Sequence, residues 1–193
     1  MNSNRLEAFS DGVLAIIITI MVLELKVPHG TELEDIMPLL PIFLSYVLSF
    51  IYIGIYWNNH HHMMYAVQKV NGSVLWANLH LLFWLSMIPF VTGWVGENHF
   101  AELPMALYGF VLLMAAIAYF ILQNRILVVQ GKNSLLAKAL GKDIKGKASP
   151  VIYIAAIIAS FYNTWIAGGL YILVALIWLI PDKRIEIIFK EKE

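Results

Sequence analysis

Four residues able to do chemistry stand at the front of this chain: Arg5, Glu7, Ser10 and Asp11. Behind them, Val13 to Leu23 is apolar except for Thr19. If that run sits in lipid, Asp11 lies about a turn and a half inside its helix. An ionised carboxylate there costs several kcal/mol unless it is paired or hydrogen-bonded. Arg5 is one candidate donor, although its six-residue offset does not place it directly above Asp11. The other candidates come from two later stretches. Trp57, Asn58, Asn59, His60, His61 and His62 form one; Trp76, Asn78 and His80 form the other. A polar knot joining these groups to Asp11 is expected, and its chemistry is hydrogen bonding. Three consecutive histidines point about 100° apart on a helix, so they cannot converge on one ion. No metal site is expected. Ser86 and Ser160 are single small residues in apolar surroundings, with no base positioned beside them. No catalytic residue is assigned, and an enzyme is not expected.

The elements that hold these residues follow from composition. The chain has 193 residues, 60% hydrophobic and 13% charged. A soluble domain is roughly 45–50% apolar and about 25% charged. The class is therefore integral membrane protein. The formal net charge is zero, which gives no basic excess for nucleic acid. There is no cysteine, which excludes disulfides and thiolate chemistry. The N-terminus does not read as a cleaved signal peptide, because two acids precede the apolar run and no small-residue cleavage site follows.

A spanning helix needs about 20 mostly apolar residues. The pattern gives one six-helix domain over residues 1–193, with helices at about 4–25, 36–62, 74–95, 103–123, 150–163 and 166–180. Pro38 and Pro41 fall near a helix start, where a missing N–H matters least. Pro89 is expected to kink the third helix. Residues 131–149 read as a polar linker. The last apolar block, 150–180, would be about 46 Å long as one helix, too long for a hydrocarbon core of roughly 30 Å. Six spans place 12 of the 13 basic residues on one side, with Lys26 alone opposite beside Glu24, Glu32, Glu34, Asp35, Glu97 and Glu102. That satisfies the positive-inside rule, with both termini in the cytoplasm of a cell-membrane protein.

On a helical wheel Phe9, Gly12, Ile16, Ile20 and Leu23 form a narrow stripe, bordered by Thr19. Asp11 points nearly opposite to Ile16. From the residues alone, the stripe either packs against another helix or faces a pore.

The order Arg5, Phe9-Ser10-Asp11-Gly12, Ile16, Thr19, Leu23 resembles the first-helix signature of bacterial homologues of the lysosomal potassium channel transmembrane protein 175. The stretches YWNNHH (56–61) and WANLHLLFWLSMIPF (76–90) are similar to that family's second and third helices. The resemblance implies an all-α homotetramer of six-helix subunits in membrane lipid, with helix one around a central pore. It implies potassium as the permeant ion, no cofactor and no nucleic-acid partner. Ile16, Ile20 and Leu23 then fall at the pore constriction, and Thr19 at the potassium-selectivity position. Arg5, Phe9, Ser10 and Asp11, with Trp57, His60, His61 and Asn78, fall in a structural polar network. The sequence holds no Thr-Val-Gly-Tyr-Gly filter. Four Ile16 side chains around an axis would gate by dewetting. The alternative function is a small cation or proton carrier. A carrier needs an ionisable site near the midplane, which is almost bare of charge here.

Overall fold

A computed structural model describes residues 3–65, 67, 69–131 and 144–179 of the chain. Most of the described residues are helical, in six rods. The first is α1 (Ser3–Leu23). The second is built of α2 (Leu33–Ile36), a 3-10 turn (Met37–Leu39) and α3 (Leu40–Tyr65). The third is α4 (Gly72–Ser86) followed by α5 (Ile88–Glu97). The fourth is α6 (Glu102–Gln130), the fifth α7 (Ile144–Ser160) and the sixth α8 (Thr164–Leu179). The first four rods are each long and apolar enough to cross a membrane. The protein is a multi-pass membrane protein.

Proline chemistry explains two of the breaks. Pro38 lies in the first positions of the 3-10 turn. Pro89 lies in the first turn of α5, where its absent N–H would have had no partner inside the helix. The third rod is divided at Met87, between the end of α4 and the start of α5. Asn71 starts α4 by accepting a hydrogen bond from the Val74 amide at 3.1 Å, a standard N-cap.

Two boundaries differ from the sequence pattern. The fourth helix runs to Gln130 rather than ending near 123. Leu122 and Ile126 are buried in its last turns, and Gly131, at φ 88°, then ends it. The fifth helix begins at Ile144 rather than at Pro150, so residues 144–149 are not linker, and Pro150 lies within the helix. The polar first turns are held by side-chain bonds. Ser149 Oγ donates to the Lys145 carbonyl at 2.8 Å, and Trp178 Nε1 at the end of α8 donates to Ser149 Oγ at 2.8 Å. The rest of the expected linker, 132–143, and the end of the sixth expected helix at 180 lie outside the described residues.

α1 packs on α3, α4 and α5. α6 packs on α4, α5 and α7, while α8 pairs with α7 and touches α3 and α6. Small residues permit the closest approaches. A Cβ on Gly96 would lie 2.6 Å from the Ile42 Cα, so α5 and the start of α3 meet backbone to backbone. Among the bundle's buried polar groups, hydroxyls bond to one another: Thr92 Oγ1 donates to Ser49 Oγ at 2.7 Å, and Ser49 Oγ lies 3.0 Å from the Tyr108 hydroxyl.

Candidate functional site

α1 has two faces. Ser3, Leu6, Ser10, Leu14, Ile17 and Met21 are buried against the bundle. The opposite face is bare in the single chain. Ile16 is 58% exposed, Ile20 43% and Leu23 77%, and Phe9, Gly12 and Thr19 are exposed with them. The cover it has in its own subunit is partial: Ile16 and Ile20 border a recess with Ser86, Pro89 and Phe90 of the third rod. An apolar helix face left this exposed needs either lipid or another copy of the chain beside it.

The buried face carries a directional chain of hydrogen bonds. Ser10 Oγ donates to the Leu6 carbonyl at 2.8 Å. Asn78 Nδ2 on α4 donates to Ser10 Oγ at 2.9 Å, which turns Asn78 Oδ1 away as an acceptor. His60 Nε2 on α3 lies 2.7 Å from that oxygen, so His60 is the donor there. Ser10, Asn78 and His60 are all buried. Three helices are thereby fastened at one end of α1. Around this chain lie two half-exposed contacts. Trp57 Nε1 donates to Asp11 Oδ1 at 3.1 Å, and His61 Nδ1 lies 2.7 Å from Glu7 Oε1 with its ring stacked on Trp57.

Comparison with known proteins places this geometry. The model of the family described as "Endosomal/lysosomal potassium channel TMEM175" matches residues 5–89, which hold α1 and the whole polar chain. A potassium channel of Chryseobacterium sp. (strain P1-3) is 60% identical over 191 residues, covering 99% of this chain and 100% of that protein. The chain belongs to the TMEM175 family. That is a family of ion channels, not of enzymes. The crystal structure of a lysosomal potassium-selective channel TMEM175 homologue from Chamaesiphon minutus superposes with a TM-score of 0.81. The two are 28% identical, and the match covers 93% of this chain and 97% of that one. The chicken endosomal/lysosomal proton channel TMEM175 is 33% identical over 101 residues, 46% of this chain and 20% of that longer protein.

Within this TMEM175 member, the structure brings Ser10, Asn78 and His60 together, and Asp11 with Trp57. It does not bring in Arg5, which is exposed and makes no hydrogen bond or ion pair among the described residues. The offset from Asp11 leaves the guanidinium on the outer side of the helix. Phe9 is likewise exposed rather than packed into the network. His80 accepts from Trp84 Nε1 of its own helix at 3.0 Å, and Trp76 is exposed. The centre of the network is Ser10, fully buried, whereas the Asp11 carboxylate is only half-buried. Glu7, singled out at the front of the chain, is the residue that the expected network left out. Its signal was present: Glu7 and Asp11 are one i,i+4 pair on a single face of α1.

Thr19 shows how a hydroxyl on the bare face is set. Its Oγ1 donates back along the helix, to the Ile16 carbonyl at 2.9 Å and the Ala15 carbonyl at 3.1 Å. With its proton committed inward, the oxygen presents lone pairs outward from an exposed position. That is an acceptor, suited to a cation rather than an anion.

Proposed function

We propose that this chain is a subunit of a homotetrameric, potassium-selective channel of the cell membrane, with α1 from four subunits around a central pore and both termini cytoplasmic. The observation that carries this reading is the bare stripe of α1 in a family whose bacterial relatives are named potassium channels. A symmetric ring of four chains turns that stripe inward and gives it a purpose that packing within the subunit does not. Ile16, Ile20 and Leu23 are then the constriction, and no Thr-Val-Gly-Tyr-Gly loop takes part. An apolar ring passes ions only when wide enough to stay wet. Thr19 oxygens, one turn from Ile16, replace part of the hydration shell of potassium. The chain of Ser10, Asn78 and His60 fixes the pore helix to its supporting helices without touching the ion.

The test is a planar-bilayer recording of the purified protein under a potassium–sodium gradient, with native mass spectrometry of the same preparation. The expected results are a current reversing towards the potassium equilibrium potential and a mass four times the 21.9 kDa of one chain. A protein that moves ions only at carrier rates, or assembles as something other than four, contradicts the proposal. The animal relatives named proton channels make the pH-gradient recording a necessary companion. A reversal that follows protons alone would replace potassium as the permeant ion.

A further inference from the structure

We infer that the recess between α3, α6, α7 and α8 is a binding site for a neutral small molecule with one aromatic ring and one hydrogen-bonding group. No residue of α1 is among the described residues that line this recess. Its inner cavity measures about 40 Å³ and opens to the outside, the cavity and the open space at its entrance together amounting to about 530 Å³. Six aromatic side chains line it: Tyr52, Tyr56, Tyr119, Phe120, Tyr153 and Trp178. The walls are tied in place. The Tyr119 hydroxyl donates to the Asn59 carbonyl at 3.3 Å, Trp178 donates to Ser149, and the Tyr56 and Tyr119 rings meet edge to face with centroids 6.1 Å apart. A preformed apolar pocket with few polar groups is the usual form of a small-molecule site.

Two side-chain amides in the recess keep hydrogen-bonding capacity that no described residue takes up. Gln123 of α6 is 6% exposed, and its side-chain amide makes no hydrogen bond among the described residues. Buried amides are nearly always paired, so a buried amide open to a cavity calls for an occupant. Asn59 stands beside it. Its Nδ2 donates to the Ile55 carbonyl at 2.8 Å, and its Oδ1 makes no hydrogen bond among the described residues. None of the described residues that line the recess is charged, which disfavours an ion. Water would pair with the amide but would wet the aromatic walls poorly. A phenol-like molecule does both: its ring meets the aromatic side chains, and its hydroxyl gives and takes a hydrogen bond at Gln123. Phe120, half-exposed, stands where the recess opens. Asn59 immediately precedes His60 on α3, so an occupant here adjoins the helix segment that holds the pore-helix fastening.

The test uses the full chain in lipid nanodiscs, with empty nanodiscs as the blank, and fluorine NMR of 4-fluorophenol and 4-fluorotoluene. The expected result for the native protein is saturable line broadening of 4-fluorophenol, displaced by excess phenol. 4-Fluorotoluene, lacking the hydroxyl, should bind roughly tenfold more weakly. Gln123→Leu should erase the difference between the probes, and Ala116→Phe, which fills the cavity, should remove saturable binding of both. Broadening no greater than in empty nanodiscs overturns the site. Equal binding of the two probes by the native protein overturns the role of Gln123, and this comparison needs no variant to fold. Saturable binding that survives in a folded Ala116→Phe protein places the ligand elsewhere and overturns the assignment.

Discussion

Replacing Asn78 with leucine should be the most damaging single change to the polar chain. Asn78 is buried and bonded on both sides, to Ser10 at 2.9 Å and to His60 at 2.7 Å. Leucine fills nearly the same volume, so little cavity is made. Two partners are stranded instead. The His60 Nε2–H, in a residue 1% exposed, loses its only acceptor. Ser10 Oγ loses a donor but still donates to the Leu6 carbonyl at 2.8 Å. An orphaned buried donor costs about 1–3 kcal/mol, and an under-used acceptor rather less. The loss should be about 2–3 kcal/mol, which for a chain of this size lowers the unfolding midpoint by roughly 4–12 °C. The assay is thermal unfolding of the detergent-purified protein, followed by loss of monodispersity. Adding His60→Phe should restore at least half of the lost stability, because replacing both partners by apolar groups removes the orphan rather than creating one. An Asn78→Leu protein whose midpoint stays within about 2 °C of the native value, or a double variant worse than the single, would refute the reasoning.

Ile16→Asn should raise basal current in bilayers, because a polar ring holds water in a narrow passage; an unchanged current would remove Ile16 from the constriction. Thr19→Val should keep conductance but move the reversal potential towards zero in a potassium–sodium gradient, and an unmoved reversal would leave Thr19 as a hydroxyl that only bonds its own helix. Asp11→Ala should lower thermal stability while sparing ion preference. Because Asp11 is half-buried and Trp57 exposed in the single chain, the loss should be smaller than for Asn78→Leu, about 1 kcal/mol. A stable Asp11→Ala channel with altered selectivity would make Asp11 a pore residue.

The rods were legible in the sequence because hydrocarbon length and helical rise leave few ways to place apolar blocks of this size. The exact ends were less so. The start of α7 was hidden because lysines and glycine at 145–147 look like linker, while the tie from Trp178 to Ser149 that steadies them joins residues far apart in sequence. The bare stripe of α1 was visible on a helical wheel, since periodicity alone fixes which residues share a face. The centre of the network was not. Asp11 draws the eye as a charge among apolar residues, yet the buried link runs through its neutral neighbour Ser10, and only the packing of α3 and α4 against that face decides which of the two turns inward. The Glu7–His61 contact was similarly a matter of helix pairing, although the Glu7–Asp11 spacing marked the face.

Whether the bare face of α1 lines the pore is tested most directly by thiol modification during recording, in a chain with no cysteine of its own. Single substitutions Leu23→Cys and Ile16→Cys on the exposed face are compared with Leu14→Cys and Ile17→Cys on the buried face. A small charged methanethiosulfonate reagent should change the current promptly at Leu23, and at Ile16 while the pore conducts, and leave Leu14 and Ile17 untouched. Modification that changes current at Leu14 or Ile17 and spares Leu23 and Ile16 would mean that the ion path runs elsewhere.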